Sequence, residues 1–180
     1  MRMIATIILS LMISGAAMAA TPCAPRKAVA PSLARLQTAM TENRFIAYNP
    51  TGLKIIDGNI TVATPESIRA DLKALRPHFD ALITYSARDG NEHVADIAAE
   101  LGFKALIIGL WTPADTEEIR NAVAMARKHP ELVVGLSLGN EIILGKRGTW
   151  ENMRAYVALL RGRLPEGTLT ITERFAQFMD

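Results

Sequence analysis

Residues 105–141 read ALIIGLWTPADTEEIRNAVAMARKHPELVVGLSLGNE, and this segment contains the clearest structural signal in the chain. It opens with the apolar run Ala105–Leu110 and ends with a second apolar run, Leu132–Leu138, before Gly-Asn-Glu. Both runs are continuously apolar rather than alternating, which is typical of strands buried on both faces. The segment between them carries an apolar stripe at helical spacing, formed by Ile119, Ala122, Val123 and Ala126. The stretch therefore predicts a helix between two parallel strands.

The same alternation of strand and helix continues on both sides of this unit. Further apolar runs at Phe45–Tyr48, Ala81–Tyr85 and Thr168–Thr172 predict three more strands. The segments between the runs carry stripes at helical spacing, and two of them begin with helix-starting signals, Thr64-Pro65 and a capping-box-like Asp115-x-x-Glu118. The chain is therefore predicted to be an α/β fold with a parallel sheet.

Residues 54–62 interrupt the alternation directly after the first predicted strand. Asp57-Gly58 stands at the middle of this segment, and that pair favours a tight turn between two antiparallel strands. We therefore expect a small hairpin here.

The N-terminus reads as a secretory signal peptide over residues 1–19. Arg2 is followed by an apolar stretch too short to span a bilayer, and Ala17-Met18-Ala19 forms a small-x-small cleavage site. Residues 20–43 are predicted to be a linker with one short helix at Ser32–Met40, and 44–180 to be the α/β domain. We expect a periplasmic or secreted protein without a membrane segment after cleavage, and the single Cys23 allows no internal disulfide.

The overall composition excludes several classes of partner. The formal net charge is +2, and no basic run or basic-aromatic cluster is present, so neither nucleic acid nor an anionic membrane surface is an expected partner. The three histidines lack metal-ligand spacing, and no Gly-rich phosphate loop follows a strand. We therefore expect no cofactor and no metal.

Polar and aromatic residues follow the predicted strands, where parallel α/β folds place their active sites. The candidates are Tyr48, Tyr85, Trp111, Asn140, Glu141 and Glu173. A carboxyl at the position of Glu141, if partly walled by apolar groups, would have a raised pKa and could protonate a departing glycosidic oxygen. The alternative is that Asn140 and Glu141 only cap the following loop.

The chain from Arg44 to Glu141 resembles bacterial members of glycoside hydrolase family 17, the β-1,3-glucanase family. The matching segments are Phe45–Tyr48, Ile83–Ser86, Leu106–Trp111 and Val133–Glu141. The strongest single match is the Gly-Asn-Glu end of the fourth strand, followed by Ile142-Ile143-Leu144.

The resemblance implies a (β/α)8 barrel, of which about five strands of eight are present, and a retaining hydrolase acting on β-1,3-glucan. It makes Glu141 the acid/base and Asn140 a contact to the sugar 2-hydroxyl, and it implies that Tyr48, Tyr85 and Trp111 line the subsites. Packing under its loop is the alternative role of Trp111. Glu173 would be either a sugar contact or a surface glutamate paired with Arg174.

Two departures from the family pattern and one missing residue weaken the expectation of full activity. Ile83 stands where the family usually has arginine, and Thr172-Glu173-Arg174-Phe175 stands where bacterial relatives tend to show a Glu-Pro pair with aromatic followers. The family nucleophile lies near the seventh strand, whereas the predicted strands number five. We therefore expect an amino-terminal portion with weak or absent hydrolysis, and unpaired strand edges through which copies could associate.

Two other hypotheses remain open on the sequence alone. The chain could be a secreted, non-catalytic carbohydrate-binding α/β domain that keeps the aromatic cleft. It could also be an open sheet, flavodoxin-like in shape, with an unrelated ligand.

Overall fold

The computed structural model describes residues 30–179, which form five parallel strands, an antiparallel hairpin and five α-helices. The α-helices are α1 Pro31–Glu42, α2 Pro65–Leu75, α3 Val94–Glu100, α4 Thr116–Lys128 and α5 Trp150–Arg163. The strands are β1 Phe45–Tyr48, β2 Lys54–Ile56, β3 Asn59–Thr61, β4 Ala81–Thr84, β5 Ala105–Leu110, β6 Val133–Asn140 and β7 Leu169–Thr172. Short 3-10 turns occupy Asn91–His93 and Phe175–Phe178.

The five predicted core strands form one parallel sheet in the order β1-β4-β5-β6-β7. This order follows the chain without reversal, unlike the flavodoxin-like order, which reverses at its switch point. The parallel sheet with flanking helices confirms the predicted α/β class and is an incomplete unit of a TIM-barrel-like fold. β1 and β7 each pair with one neighbouring strand in the described sheet, so each has one open edge.

β5 lies at the centre of the sheet because it is apolar on both faces. All six of its residues are buried. One face packs against α2 to α5 in the main core, where Leu82, Leu106, Ile108 and Leu136 are almost completely buried. The removal of these apolar side chains from water is the main favourable contribution to the free energy of folding.

The opposite face of the sheet packs against α1, near the amino ends of the strands. Ala39 and Leu36 of α1 contact a cluster that includes Ala81, Ala105 and Val134. Ile83 also packs against this cluster, so the position at which the resemblance predicts arginine is part of an apolar contact.

The helix starts follow the sequence signals, with one correction. Thr64 caps α2 by accepting a hydrogen bond from the Ser67 N–H. Asp115 caps α4 by accepting from the N–H groups of Glu117 and Glu118. The predicted capping box is wrong, because the Glu118 carboxylate turns inward and binds other loops instead of the amide of Asp115.

The predicted hairpin is present as β2 and β3. Asp57 has φ 50° and Gly58 has φ 79°. Positive φ at both central residues is the requirement of a type I′ turn, which Asp-Gly favours.

Several sequence predictions lie outside the described residues. They include the signal peptide over 1–19, the first part of the predicted linker, Cys23 and Asp180. Within residues 30–179, each helix is too short or too polar to cross a bilayer.

Candidate functional site

Tyr85, Trp111 and Glu141 lie at the same end of the sheet, because they follow the carboxyl ends of β4, β5 and β6. Tyr85 directly follows β4, Trp111 follows β5, and Asn140 and Glu141 stand at the end of β6. Because these three strands are neighbours in a parallel sheet, their ends share one surface. We call it the strand-end face.

Glu141 has an unfavourable backbone conformation at this face. Its φ is 52°, and Gly139 two residues earlier has φ 71°. A non-glycine residue in the left-handed region carries strain, and such strain often marks functional positions. The Glu141 N–H donates to the Thr172 carbonyl at 2.8 Å, and the Glu141 carbonyl accepts from Gly145 N–H at 2.9 Å. These bonds hold the strained residue in place.

The Glu141 side chain is exposed. The apolar enclosure expected from the sequence is therefore not formed around it by residues 30–179. The carboxylate is accessible from the strand-end face, which a proton donor to a bound ligand requires.

Glu173, at the end of β7, fixes the loop that carries Glu141. Its two carboxylate oxygens accept from the N–H groups of Ile143 and Leu144, at 2.8 and 3.4 Å. The carboxylate is thus engaged by backbone donors. This role differs from both alternatives drawn from the sequence, a sugar contact or an ion pair with Arg174.

Arg147 connects the β6 loop to the β5 loop. Its guanidinium donates to the Asn140 carbonyl at 2.6 Å and to the Trp111 carbonyl at 3.3 Å. It also lies over the Trp111 ring, 4.9 Å from the ring centroid, in a cation–π contact. The Arg147 side chain thus fixes the positions of both the Trp111 ring and the peptide group that precedes Glu141.

Glu118 organises the loops that carry the two exposed aromatic residues. Its side chain is 1% exposed, and its carboxylate accepts four hydrogen bonds. The donors are Ser86 Oγ at 2.7 Å and the N–H groups of Ala87, Trp111 and Thr112 at 3.1, 2.9 and 2.7 Å. A buried carboxylate is tolerated when its oxygens are this well satisfied. Glu118 therefore joins the ends of β4 and β5.

A cleft of about 480 Å³ lies beside these loops. Tyr85 and Trp111 line it together with Leu53, which directly precedes β2, and the hairpin residues Ile55 and Ile60. Arg88, Asp115 and Glu118 supply polar groups to its wall. Arg88 pairs with Asp115 and Glu117, so its charge is balanced within the wall.

Tyr48 does not join this group. Its ring is buried in the main core, and its hydroxyl donates to the Asp71 carboxylate of α2 at 3.0 Å. Burial, reinforced by this hydrogen bond, raises the pKa of Tyr48 far above its usual value. The expectation that Tyr48 stacks on a sugar does not fit this position, because the side chain points to the helix layer.

Two important side chains were missed by the sequence reasoning. Glu118 was assigned to a helix cap because of its spacing from Asp115, and nothing in the local pattern shows that the carboxylate is buried. Arg147 lies in a polar loop without a recognisable motif.

Within residues 30–179, no group of three or more His, Cys, Asp or Glu side chains is arranged to hold a metal ion.

No protein-family profile matches the sequence, and no curated protein matches it. Three solved structures do share its fold. The first is an active-site mutant of Rhizomucor miehei β-1,3-glucanosyltransferase in complex with laminaritriose, with a TM-score of 0.54 and 15% identity over 72% of this chain and 49% of that chain.

The second is an endo-laminarinase from Formosa Hel1_33_131, with a TM-score of 0.52 and 21% identity over 74% of this chain and 42% of that chain. The third is the glycoside hydrolase family 17 β-1,3-glucanosyltransferase from Rhizomucor miehei, with a TM-score of 0.52 and 15% identity over 71% of this chain and 48% of that chain. The described residues thus have a family 17-like fold, and the chain spans less than half of each of these structures.

Proposed function

We propose that this chain binds β-1,3-glucan at the strand-end face and that Glu141 is the acid/base of a retaining glycoside hydrolase site. One observation carries the proposal: a strained, accessible glutamate, held by hydrogen bonds, stands at the end of β6 in a family 17-like fold. Asn140, directly before it, is the proposed contact to the sugar hydroxyl next to the scissile bond.

Tyr85 and Trp111 are the proposed sugar-stacking residues. Both rings are exposed at the cleft. Flat aromatic faces pack well against the C–H faces of sugar rings. Two of the structurally similar proteins act on β-1,3-glucan according to their names, and one was solved with laminaritriose, which supports this substrate class.

We further propose that hydrolysis by this 180-residue chain is weak or absent. A retaining mechanism needs a second carboxylate roughly 5–5.5 Å from the acid/base. Glu173 is engaged by backbone N–H groups, and the Glu118 carboxylate is enclosed by four donors. Neither is a free nucleophile in the described structure. The alternative function is therefore glucan binding without catalysis by an α/β domain.

Titration calorimetry with laminari-oligosaccharides tests the binding function. The wild-type chain is expected to bind, and Tyr85→Ala is expected to bind more weakly. Leu159→Ala, on α5, is a matched control outside the cleft, because Leu159 and Tyr85 are both 42% exposed. Absence of binding by the wild-type chain, checked for folding, would contradict the proposal.

Hydrolysis of laminarin separates the two functions. The expected result is turnover close to the level of a Glu141→Gln variant, because neither Glu118 nor Glu173 is free to act as the second carboxylate. Clear turnover that Glu141→Gln abolishes would show that the second carboxylate exists in this chain and that our weak-activity proposal is wrong.

Export is part of the same proposal. Residues 1–19 have the sequence of a signal peptide, and a β-glucan is a substrate found outside the cytoplasm, so we propose a periplasmic or secreted protein. The open edges of β1 and β7 are the proposed surfaces for self-association. N-terminal sequencing of the exported product and its mass in solution test these two points.

A further inference from the structure

The β2–β3 hairpin exposes more apolar surface than its structural role requires. Ile55, Ile56 and Ile60 are 69, 62 and 52% exposed. All six hairpin strand residues are exposed, so the hairpin contributes little to the core. A two-stranded hairpin is only marginally stable by itself, and clustered exposed apolar residues usually indicate a binding surface.

The two faces of the hairpin differ in what they contact. Ile55 pairs directly with Ile60 across the strands, so the two side chains share one face. This face lines the cleft, together with Leu53. Ile56 is the next residue along β2, and successive strand residues point to opposite faces, so it lies on the other side.

The cleft in front of this face is suited to a neutral, amphipathic ligand. Tyr85 and Trp111 stand among its lining residues, and the hairpin isoleucines add an aliphatic wall. Arg88 is paired with Asp115, and the Glu118 oxygens are satisfied by four donors. Asp89 also lines the cleft, so its wall carries more acidic than basic side chains and disfavours an anionic ligand. Carboxylates accept hydrogen bonds from sugar hydroxyls, and the C–H faces of sugars find apolar surface there.

The cleft adjoins the strand-end face, because Tyr85 and Trp111 belong to both. Trp111 lines the cleft and is joined through Arg147 to the carbonyl of Asn140, the residue before Glu141. A chain-like ligand bound at Glu141 can thus extend past Trp111 and Tyr85 towards the hairpin.

We propose that the cleft-facing side of the hairpin, formed by Leu53, Ile55 and Ile60, is a distal subsite for sugar units of a β-1,3-glucan chain. The proposal rests on the glucan-binding function proposed above. It makes the hairpin a determinant of preference for long oligosaccharides over short ones, because only a long chain reaches from Glu141 to the hairpin.

The test compares two hairpin variants by calorimetry with laminarihexaose and laminaribiose. Ile55→Thr/Ile60→Thr removes apolar surface from the cleft face and keeps β-branched side chains that favour a strand. Ile56→Thr is the matched control on the opposite face. We expect the double variant to bind laminarihexaose about tenfold more weakly, with laminaribiose affinity unchanged, and the control to resemble wild type.

Two outcomes would overturn the proposal alone. They are wild-type laminarihexaose affinity in the double variant, and an equal loss in Ile56→Thr. If the wild-type chain binds neither oligosaccharide, the proposed glucan function fails and the subsite fails with it.

A second measurement needs no substitution in the hairpin. Trypsin can cut after Lys54, which is exposed in β2. Laminarihexaose is expected to slow this cut in the wild-type chain more than laminaribiose does, because a ligand on the hairpin holds its strands together. Equal cleavage with both sugars would contradict the subsite.

Discussion

The guanidinium of Arg147 lies over the indole ring of Trp111, 4.9 Å from the ring centroid, and the same group binds the carbonyl of Asn140. The loops after β5 and β6 are therefore joined by a single side chain. Its position couples the exposed aromatic ring to the backbone that carries Glu141.

Replacement of Arg147 by lysine is expected to weaken laminarihexaose binding about fivefold. Lysine keeps the charge but lacks the planar fork that reaches two carbonyls while stacking on an indole. Calorimetry measures the change, with Arg154→Lys on an exposed part of α5 as the control. Equal affinity in Arg147→Lys and wild type would show that the contact does not orient Trp111 for binding.

Glu141→Gly is expected to raise the free energy of unfolding by about 0.5–1 kcal/mol. The left-handed backbone costs a non-glycine residue ~1–2 kcal/mol, and the extra flexibility of glycine in the unfolded chain offsets part of the gain. Glu141→Gln keeps the same backbone preference and should show no such gain. Urea unfolding compares the two variants, and equal stabilities would argue against strain at this position.

Glu118→Gln is expected to lower the free energy of unfolding by about 2–3 kcal/mol. The amide oxygen can keep the three donors that bind Oε1, but the amide NH2 then faces the N–H of Thr112, which lacks an acceptor. Glu117→Gln, one residue earlier and exposed, is the control and should change stability by less than about 0.5 kcal/mol. Similar losses of stability in both variants would show that the Glu118 carboxylate does not hold the two loops together.

Gly109→Ala is expected to destabilise the sheet by about 2–4 kcal/mol. A Cβ atom at this position would lie 2.1 Å from the carbonyl oxygen of Thr84, so β4 and β5 would have to separate. Gly162→Ala in α5 is the control, because a Cβ there meets nothing within 4 Å, and alanine favours the helix. Thermal unfolding measures both, and a neutral Gly109→Ala would show that the strands can separate without cost.

The Asp115 carboxylate is expected to lose its contribution to stability in acid. Burial acts to raise its pKa, but hydrogen bonds from the amide of Glu118 and from Arg88 outweigh burial and hold the pKa below the ordinary value of 3.8. A lowered folded-state pKa means that the stabilisation is present above the unfolded-state pKa and is lost as pH falls through the folded-state pKa.

Asp115→Asn isolates this charge, because asparagine caps helices as well as aspartate does. The variant should be less stable than wild type at about pH 7, and the difference should vanish at about pH 2. Melting temperatures across this range measure the effect. A difference that persists in acid would assign the loss to the cap rather than to the charge.

The strands and the hairpin could be predicted because their signals are local. β5 is six consecutive apolar residues, and Asp57-Gly58 is the pair that a type I′ turn favours. The positions of Tyr85, Trp111 and Glu141 could also be predicted, because residues that follow neighbouring parallel strands lie at the same end of the sheet. Their roles in binding and catalysis remain predictions.

The predictions that were wrong concern side chains whose direction depends on residues distant in the sequence. Tyr48 was expected in a subsite, but its ring is buried in the core and its hydroxyl binds Asp71 of α2. Glu118 was expected to cap its own helix, yet its partners lie 32, 31 and 7 residues away at Ser86, Ala87 and Trp111.

The β-α-β stretch of residues 105–141 determined the parallel sheet and the place of Glu141 at the carboxyl end of β6, because burial and helical spacing are patterns of consecutive residues. The strained backbone of Glu141 and the loop contacts of Glu173 and Arg147 could be seen in the folded structure alone. Those features depend on hydrogen bonds between chain segments that meet only after the sheet has formed.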